Sequence, residues 1–223
     1  MAPENVGPAH RAIEAKARLF TVQALAAGTV MQTGTQKGIA PVKYAMDTVA
    51  SRFTVQAFAT GMLSAFGHNP TIAIRDYDGE IEFVAESVEN AAVRVTVRTS
   101  GMEVVDEMKS DDRKKLEQAM YEQVLEATRF PSAVYESKQI TVQKQSNELW
   151  QAHVTGQLTF HGVTQSLAMD ARVTTMGTML RVAGEFPLRQ SDYGIKPGSF
   201  AGGALKLKDE LKFNFEMVCR KQE

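Results

Sequence analysis

Histidines, cysteines and paired carboxylates carry much of protein chemistry, and this chain holds four histidines and one cysteine. His10, His68, His153 and His161 show neither the i, i+2 nor the i, i+4 spacing that brings two imidazoles onto one metal ion. No metal site is expected. The single Cys219 allows neither an internal disulfide nor a multi-cysteine cluster. Gly-x-Ser-x-Gly and Gly-x-x-x-x-Gly-Lys-Ser/Thr do not occur, so the sequence offers neither a nucleophile elbow nor a phosphate cradle of those types. Ser191-Asp192 and Asp111-Asp112 are polar pairs of the sort that turns and helix N-termini use. The expectation is a non-enzyme with no catalytic residue and no required cofactor.

The remaining polar candidates suit recognition. His68 stands between Gly67 and Asn69-Pro70, in a turn context where it could meet a ligand head group or bond local backbone. His161 lies in Phe160-His161-Gly162-Val163-Thr164, where Gly162 and Thr164 mark a tight turn and favour a structural role. Arg189, Asp192 and Tyr193 are candidates for a polar rim at the mouth of a cavity, with turn stabilisation as the competing role.

Such residues need a scaffold, and apolar periodicity outlines it. Between Pro8 and Ala27 the residues Ala9, Ile13, Ala17, Phe20, Ala24 and Ala27 recur every three or four positions, predicting an amphipathic helix. Gly28 to Pro41 has three glycines and no sustained period, and reads as a linker. Then the period drops to two. Phe53, Val55 and Ala57 alternate with Thr54 and Gln56 over Ser51 to Phe58. Ile72 and Ile74 repeat the pattern, and Asp76-Tyr77-Asp78-Gly79 reads as a turn leading into Ile81 and Phe83, which predicts a hairpin. Val93, Val95 and Val97 alternate with Arg94, Thr96 and Arg98, so one face of that strand is wet. Leu116, Met120, Val124 and Ala127 follow a helical period within Asp111 to Thr128. Strand patterns resume at Ala133–Val142, Leu149–Phe160, Ser166–Thr174, Leu180–Phe186 and Ala204–Val218. This order suggests an antiparallel barrel or sandwich rather than alternating strand–helix units. Closure into a barrel would remove exposed edges and enclose a cavity.

Composition narrows the partners. The 223 residues suit one large domain, or one domain with an appendage. Lys plus Arg number 25 against 26 Asp plus Glu, so no net field draws the chain to nucleic acid or anionic lipid. At 43% hydrophobic and 23% charged it is globular rather than disordered or coiled-coil. Leu19 to Val30 is interrupted by Gln23 and Gly28 and is too short to span a bilayer, so no transmembrane segment is expected. Met1 to Gly7 carries Glu4 and no Lys or Arg, which is unlike an export signal and points to the cytoplasm.

Six ordered stretches resemble the YceI family of lipocalin-like polyisoprenoid-binding proteins, from about Ala45 to Val218. They are Ser51-Arg52-Phe53-Thr54-Val55, Ala65-Phe66-Gly67-His68, Gly79-Glu80-Ile81-Glu82-Phe83, Arg129 through Ser137, Gly156 through Thr164, and Arg189 through Ile195. The resemblance implies a mainly β fold, an eight-stranded antiparallel lipocalin-like barrel, here with one inserted α-helix and an N-terminal helical extension. It implies domains of 1–44, helix and linker, and 45–223, barrel. It also implies an apolar pore that takes the tail of a quinone or polyprenyl lipid. Members are commonly exported and small, so the N-terminal segment and the start of this chain depart from the pattern.

An eight-stranded barrel can be filled by its own side chains or can hold one ligand. The inward-phase candidates are Phe53, Val55, Ile72, Ile74, Ile81, Phe83, Val93, Val95, Val97, Leu158, Phe160, Phe186, Phe213 and Phe215, joined as ligand contacts by Phe66 and His68. Apolar alternation is also what any buried sheet face shows. Met62, Met169, Met176 and Met179 would add adaptable apolar surface or serve as gap fillers. The leading expectation is binding, carriage or sequestration of a long-chain isoprenoid lipid, a polyisoprenoid or ubiquinone-like molecule. The alternative is a stress-related or partner-docking module with a self-filled barrel, for which a homodimer is one arrangement.

Overall fold

A strand with alternating apolar residues must bury one face and wet the other, and enough such strands can close the buried face into a tube. The computed structural model describes residues 42–60, 69–84, 87–200 and 205–223, with side chains at all of these except 83–84, 87–90, 199–200 and 205. They fall in one compact unit, Ile39–Glu223. The helix expected from Pro8 to Ala27 lies outside the described residues.

The strands are β1 (Val42–Met46), β2 (Arg52–Thr60), β3 (Thr71–Ile74), β4 (Tyr77–Val84), β5 (Ser87–Arg98), β6 (Met102–Val104), β7 (Ser132–Lys144), β8 (Leu149–Phe160), β9 (Val163–Met176), β10 (Met179–Arg189), β11 (Ser199–Phe200) and β12 (Leu205–Lys221). The helix α1 (Ser110–Ala119) and a π turn, Met120–Val124, lie between β6 and β7. Strands β1, β4, β5, β7, β8, β9, β10 and β12 pair in that order, and the β12–β1 pairing closes them into an antiparallel ring of eight.

The other main segments extend this ring. One stretch of the long β12 pairs with β1 through residues 219–221, and another pairs with β2 through residues 206–216, so β1 and β2 lie end to end along it. In the same way β3 lies on β2 while β4 lies on β1, and β6 lies on β3 while β5 lies on β4. Three of the eight ribbons are thus bent into two segments each.

The bends fasten to one another. Arg75 N–H donates to the Gly101 carbonyl at 2.6 Å and Arg98 N–H to the Asp76 carbonyl at 2.9 Å. A Cβ at Gly101 would stand 2.4 Å from that of Asp76, so the close approach requires glycine. The buried Tyr77 hydroxyl donates to the Ser51 carbonyl at 2.6 Å, and Ser51 Oγ accepts from Val218 N–H at 2.9 Å.

This arrangement corrects the expected hairpin at Asp76-Tyr77-Asp78-Gly79. The chain bends one step earlier, at Arg75-Asp76, and Tyr77 opens β4 instead of turning. Strands β3 and β4 pair with different partners, because burial of Tyr77 and pairing to β1 and β5 outweigh the local turn chemistry. Strand β1 is a second difference, since no strand was expected before Ser51. The expected helix over Asp111–Thr128 is shorter, with α1 ending at Ala119 and only the π turn beyond it.

The expected turn at His161-Gly162 is present. Both residues have positive φ, +50° and +75°, and they join β8 to β9 as a two-residue loop between the paired Phe160 and Val163. A register shift between Ser137 and Gln139 marks a bulge in β7, after which the alternation changes phase. This lets Tyr135 and Ile140 both be buried, although they are an odd number of residues apart.

Charged side chains occupy the outward phase. Arg94 pairs with Glu136, Arg181 with Glu216 at 3.0 Å, and Lys212 with Glu185 at 2.8 Å, all across neighbouring strands. Exposed pairs of this type contribute little individually. Their placement still gives the described barrel a charged outside and an apolar inside, the reverse of a membrane-spanning barrel. Among the described residues no helix is long and apolar enough to cross a membrane.

Candidate functional site

The inward phase of the ring surrounds a cavity of about 130 Å³. Eleven of the expected ligand contacts line it: Phe53, Ile74, Ile81, Val93, Val95, Val97, Leu158, Phe160, Phe186, Phe213 and Phe215. Residues far apart in the chain meet there because every ring strand sends alternate side chains to the same side.

The wall also includes residues that the sequence reading left out. Ala133 and Tyr135 come from β7, Val154 from β8, Leu167 and Ala171 from β9, Val182 and Leu188 from β10, and Met217 from β12. Most continue an alternation already visible, Val154 preceding Leu158 and Met217 following Phe215. Extending the period along each strand would have found them. Met102 had no such signal, because the three-residue β6 is too short to show a period.

Several expectations require correction. Val55 and Ile72 do not line this cavity but a second one, of about 70 Å³. The bends between collinear segments place them nearer the end of the barrel that α1 and the π turn cover, where Leu116, Met120, Val124 and Leu125 complete the second wall. Of the methionines, Met169 lines the main cavity, whereas Met176 is exposed and the Met179 sulfur lies 3.4 Å from Arg220 Nη1. They flank the turn joining β9 to β10, beyond the cavity. Phe66, His68 and Met62 lie outside the described residues. Phe83 pairs with Val42 through its backbone, and its side chain is likewise outside the description.

Tyr193 is not part of a polar rim. It is buried, its ring 5.6 Å from that of Phe160, and belongs to the core beneath the π turn. Arg189 bonds Asp209 at 3.2 Å, and the Asp192 carbonyl accepts from Gln165 at 3.1 Å, so both support local structure. The His161 ring lies 4.0 Å from Phe130, with Nδ1 3.3 Å from the Tyr193 carbonyl and Nε2 3.5 Å from Glu126. It packs the turn. His153 lies on the exposed face, 2.8 Å from Asp170. Among the described residues no cluster of three or more His, Cys, Asp or Glu is placed to hold a metal ion.

The electrostatics of the cavity follow from its wall. Among the described residues lining it, Tyr135 and Asn214 are the polar ones, and none is charged. Burial pushes the Tyr135 hydroxyl up to about 12, so it keeps its proton and remains a donor across the physiological range. Its partner, the Leu167 carbonyl, is 3.4 Å away, a long contact. A buried water needs two to four polar partners, and this wall offers few, so the space suits an apolar guest better than solvent.

An eight-stranded antiparallel barrel around a cavity lined mainly by apolar side chains defines a lipocalin-like fold. The chain belongs to the YceI-like domain family, whose sequence model matches residues 44–219. Protein YceI of Salmonella arizonae is 29% identical over 136 residues, 60% of this chain and 59% of that relative. The match therefore spans well under two thirds of the relative's length. Among solved structures, Burkholderia cenocepacia BcnA has a TM-score of 0.62 at 16% identity, covering 78% of this chain and 98% of its own. A polyisoprenoid binding domain from Saccharophagus degradans, implicated in plant cell wall breakdown, has a TM-score of 0.59 at 12% identity, over 80% of this chain and 98% of its own. At those identities the two structures establish the shared fold.

Proposed function

We propose that this protein binds and carries a long-chain isoprenoid lipid, of the quinone type, and that it does so without catalysing a reaction. The observation that carries the reading is the barrel cavity, whose described wall is uncharged and, apart from Tyr135 and Asn214, built of apolar side chains. Support also comes from family membership and from the shared fold with a domain described as polyisoprenoid-binding.

The energetics favour such a guest. Burying one isoprene unit removes about 100 Å² from water, worth about 2.5 kcal/mol gross. A few units offset an association cost of about 4–15 kcal/mol without any charged contact. Wall chemistry also bears on the head group. A diphosphate drawn into this cavity would be a buried charge with no cation among the described lining residues, which is costly. A neutral quinone brings no such charge.

The test is denaturing mass spectrometry of solvent extracts from the purified protein. An isoprenoid lipid in stoichiometric amount is expected. Absence of any lipid, together with no binding of added ubiquinones, would overturn the reading. The alternative of a self-filled barrel acting as a partner-docking module draws on the size of the main cavity, about 130 Å³, which is close to that of a benzene-sized guest. Lipid-free protein would favour that alternative.

A further inference from the structure

The two cavities share three wall residues, Met102, Phe160 and Phe213, so these side chains form the partition between them. Two of the three are held by other rings. Phe213 stacks on Phe186 at 5.1 Å with their planes 6° apart, and Phe160 leans on Tyr193 at 5.6 Å. Met102 is different in kind. It is unbranched, with three rotatable side-chain bonds and a polarizable thioether that adapts to changed surroundings at small cost. Its backbone is fixed meanwhile, because β6 pairs with β3 and the Met102 carbonyl accepts from the Tyr121 hydroxyl.

Size gives the partition a consequence. The main cavity, at about 130 Å³, takes a group comparable to benzene or one isoprene unit. A tail of several units needs more length, and the neighbouring space of about 70 Å³ is itself apolar, walled by Val55, Ile72, Leu116 and Leu125 among others.

We infer that Met102 is a shutter between the two cavities, and that its swing admits the far end of an isoprenoid tail into the space beneath α1, making Met102 and the π turn the determinants of tail length. This inference rests on the isoprenoid reading and adds to it a named residue and a second subsite. A short tail would fill the main cavity alone, whereas a long tail would require the shutter to open.

The test is equilibrium binding of ubiquinones with two, four and eight isoprene units to the full-length protein and two variants. Met102→Ala removes the shutter and is expected to raise affinity for the eight-unit tail, relative to the two-unit tail, by about tenfold. Val124→Phe fills the second cavity from the π turn without touching the main one. It is expected to lower affinity for the eight-unit tail about tenfold and leave the two-unit tail unchanged. The same length dependence in all three proteins would overturn the inference while leaving the isoprenoid reading standing. Failure of every ubiquinone to bind, with no lipid in extracts, would instead remove the reading on which it rests.

Discussion

The Tyr135 ring lies across Gly156: a Cβ at that glycine would stand 2.6 Å from the Tyr135 hydroxyl oxygen and 2.7 Å from Cζ. A side chain from β7 therefore crosses β8 and reaches the Leu167 carbonyl on β9. Phe215 has the same relationship to Gly184, where a Cβ would come within 2.7 Å of the ring. Glycine in a strand interior ordinarily weakens it, and often marks a close approach of another group. Here the two glycines let large aromatics lie along the wall instead of across the tube. The space at the centre of the barrel follows from that arrangement.

Gly156→Ala therefore tests the wall directly. The new methyl would also stand 2.4 Å from the Glu136 carbonyl oxygen, a backbone atom that cannot swing away. Overpacking of this kind costs about 1–3 kcal/mol, expected as a lowered urea midpoint. Tyr135→Phe in the same chain should not restore stability, because the backbone clash remains. Full rescue by Tyr135→Phe would show that the ring alone sets the constraint.

Asp209 should contribute to the acid limb of stability. It accepts from the Ser191 hydroxyl at 2.6 Å, the Ser191 amide at 2.8 Å and Arg189 Nε at 3.2 Å. The Ser191 hydroxyl first, and then its amide, hold the carboxyl below its ordinary value of 3.8. A group with a depressed folded value contributes stability that is full above the unfolded value and is lost as pH falls through the folded one. The stability advantage of wild type over Asp209→Asn is therefore expected to be constant from neutral pH to about pH 5, and to shrink below about pH 4. Urea titrations across that range check it, and a difference that does not change with pH would contradict it.

Cys219 should be unreactive in the folded protein. It is fully buried, and burial pushes its thiol up to about 11, so little thiolate exists at neutral pH. A thiol reagent at about pH 8 is expected to label the native protein only as fast as the barrel opens, and to titrate one thiol at once in denaturant. Rapid labelling of folded protein would place Cys219 in a different environment.

Much of the fold is legible in the sequence, because a strand's alternation is local. Val93, Val95 and Val97 on β5, Leu158 and Phe160 on β8, and Phe213 and Phe215 on β12 all show their inward face without knowledge of any partner strand. The two-residue turn at His161-Gly162 is equally local. Tyr77 shows where local reading stops. Its neighbours have turn chemistry, yet its hydroxyl is buried against Ser51, so a contact across the sheet makes the segment a strand. Met102 lies beyond local reading for another reason, since the three-residue β6 is too short to show a period.

The sequence by itself determined the mainly β class, the strands' wet and dry faces, and the lack of recognisable catalytic and local metal-binding motifs. Only the tertiary structure decided where along the tube each inward residue sits. That placement separates Val55 and Ile72 from the main cavity and puts Met102 between two spaces. The physical reason is that alternation specifies which face of a strand is buried, while bends, register shifts and ring closure specify what that face meets. Whether it meets a neighbouring side chain or an open space depends on residues a hundred positions away in the chain.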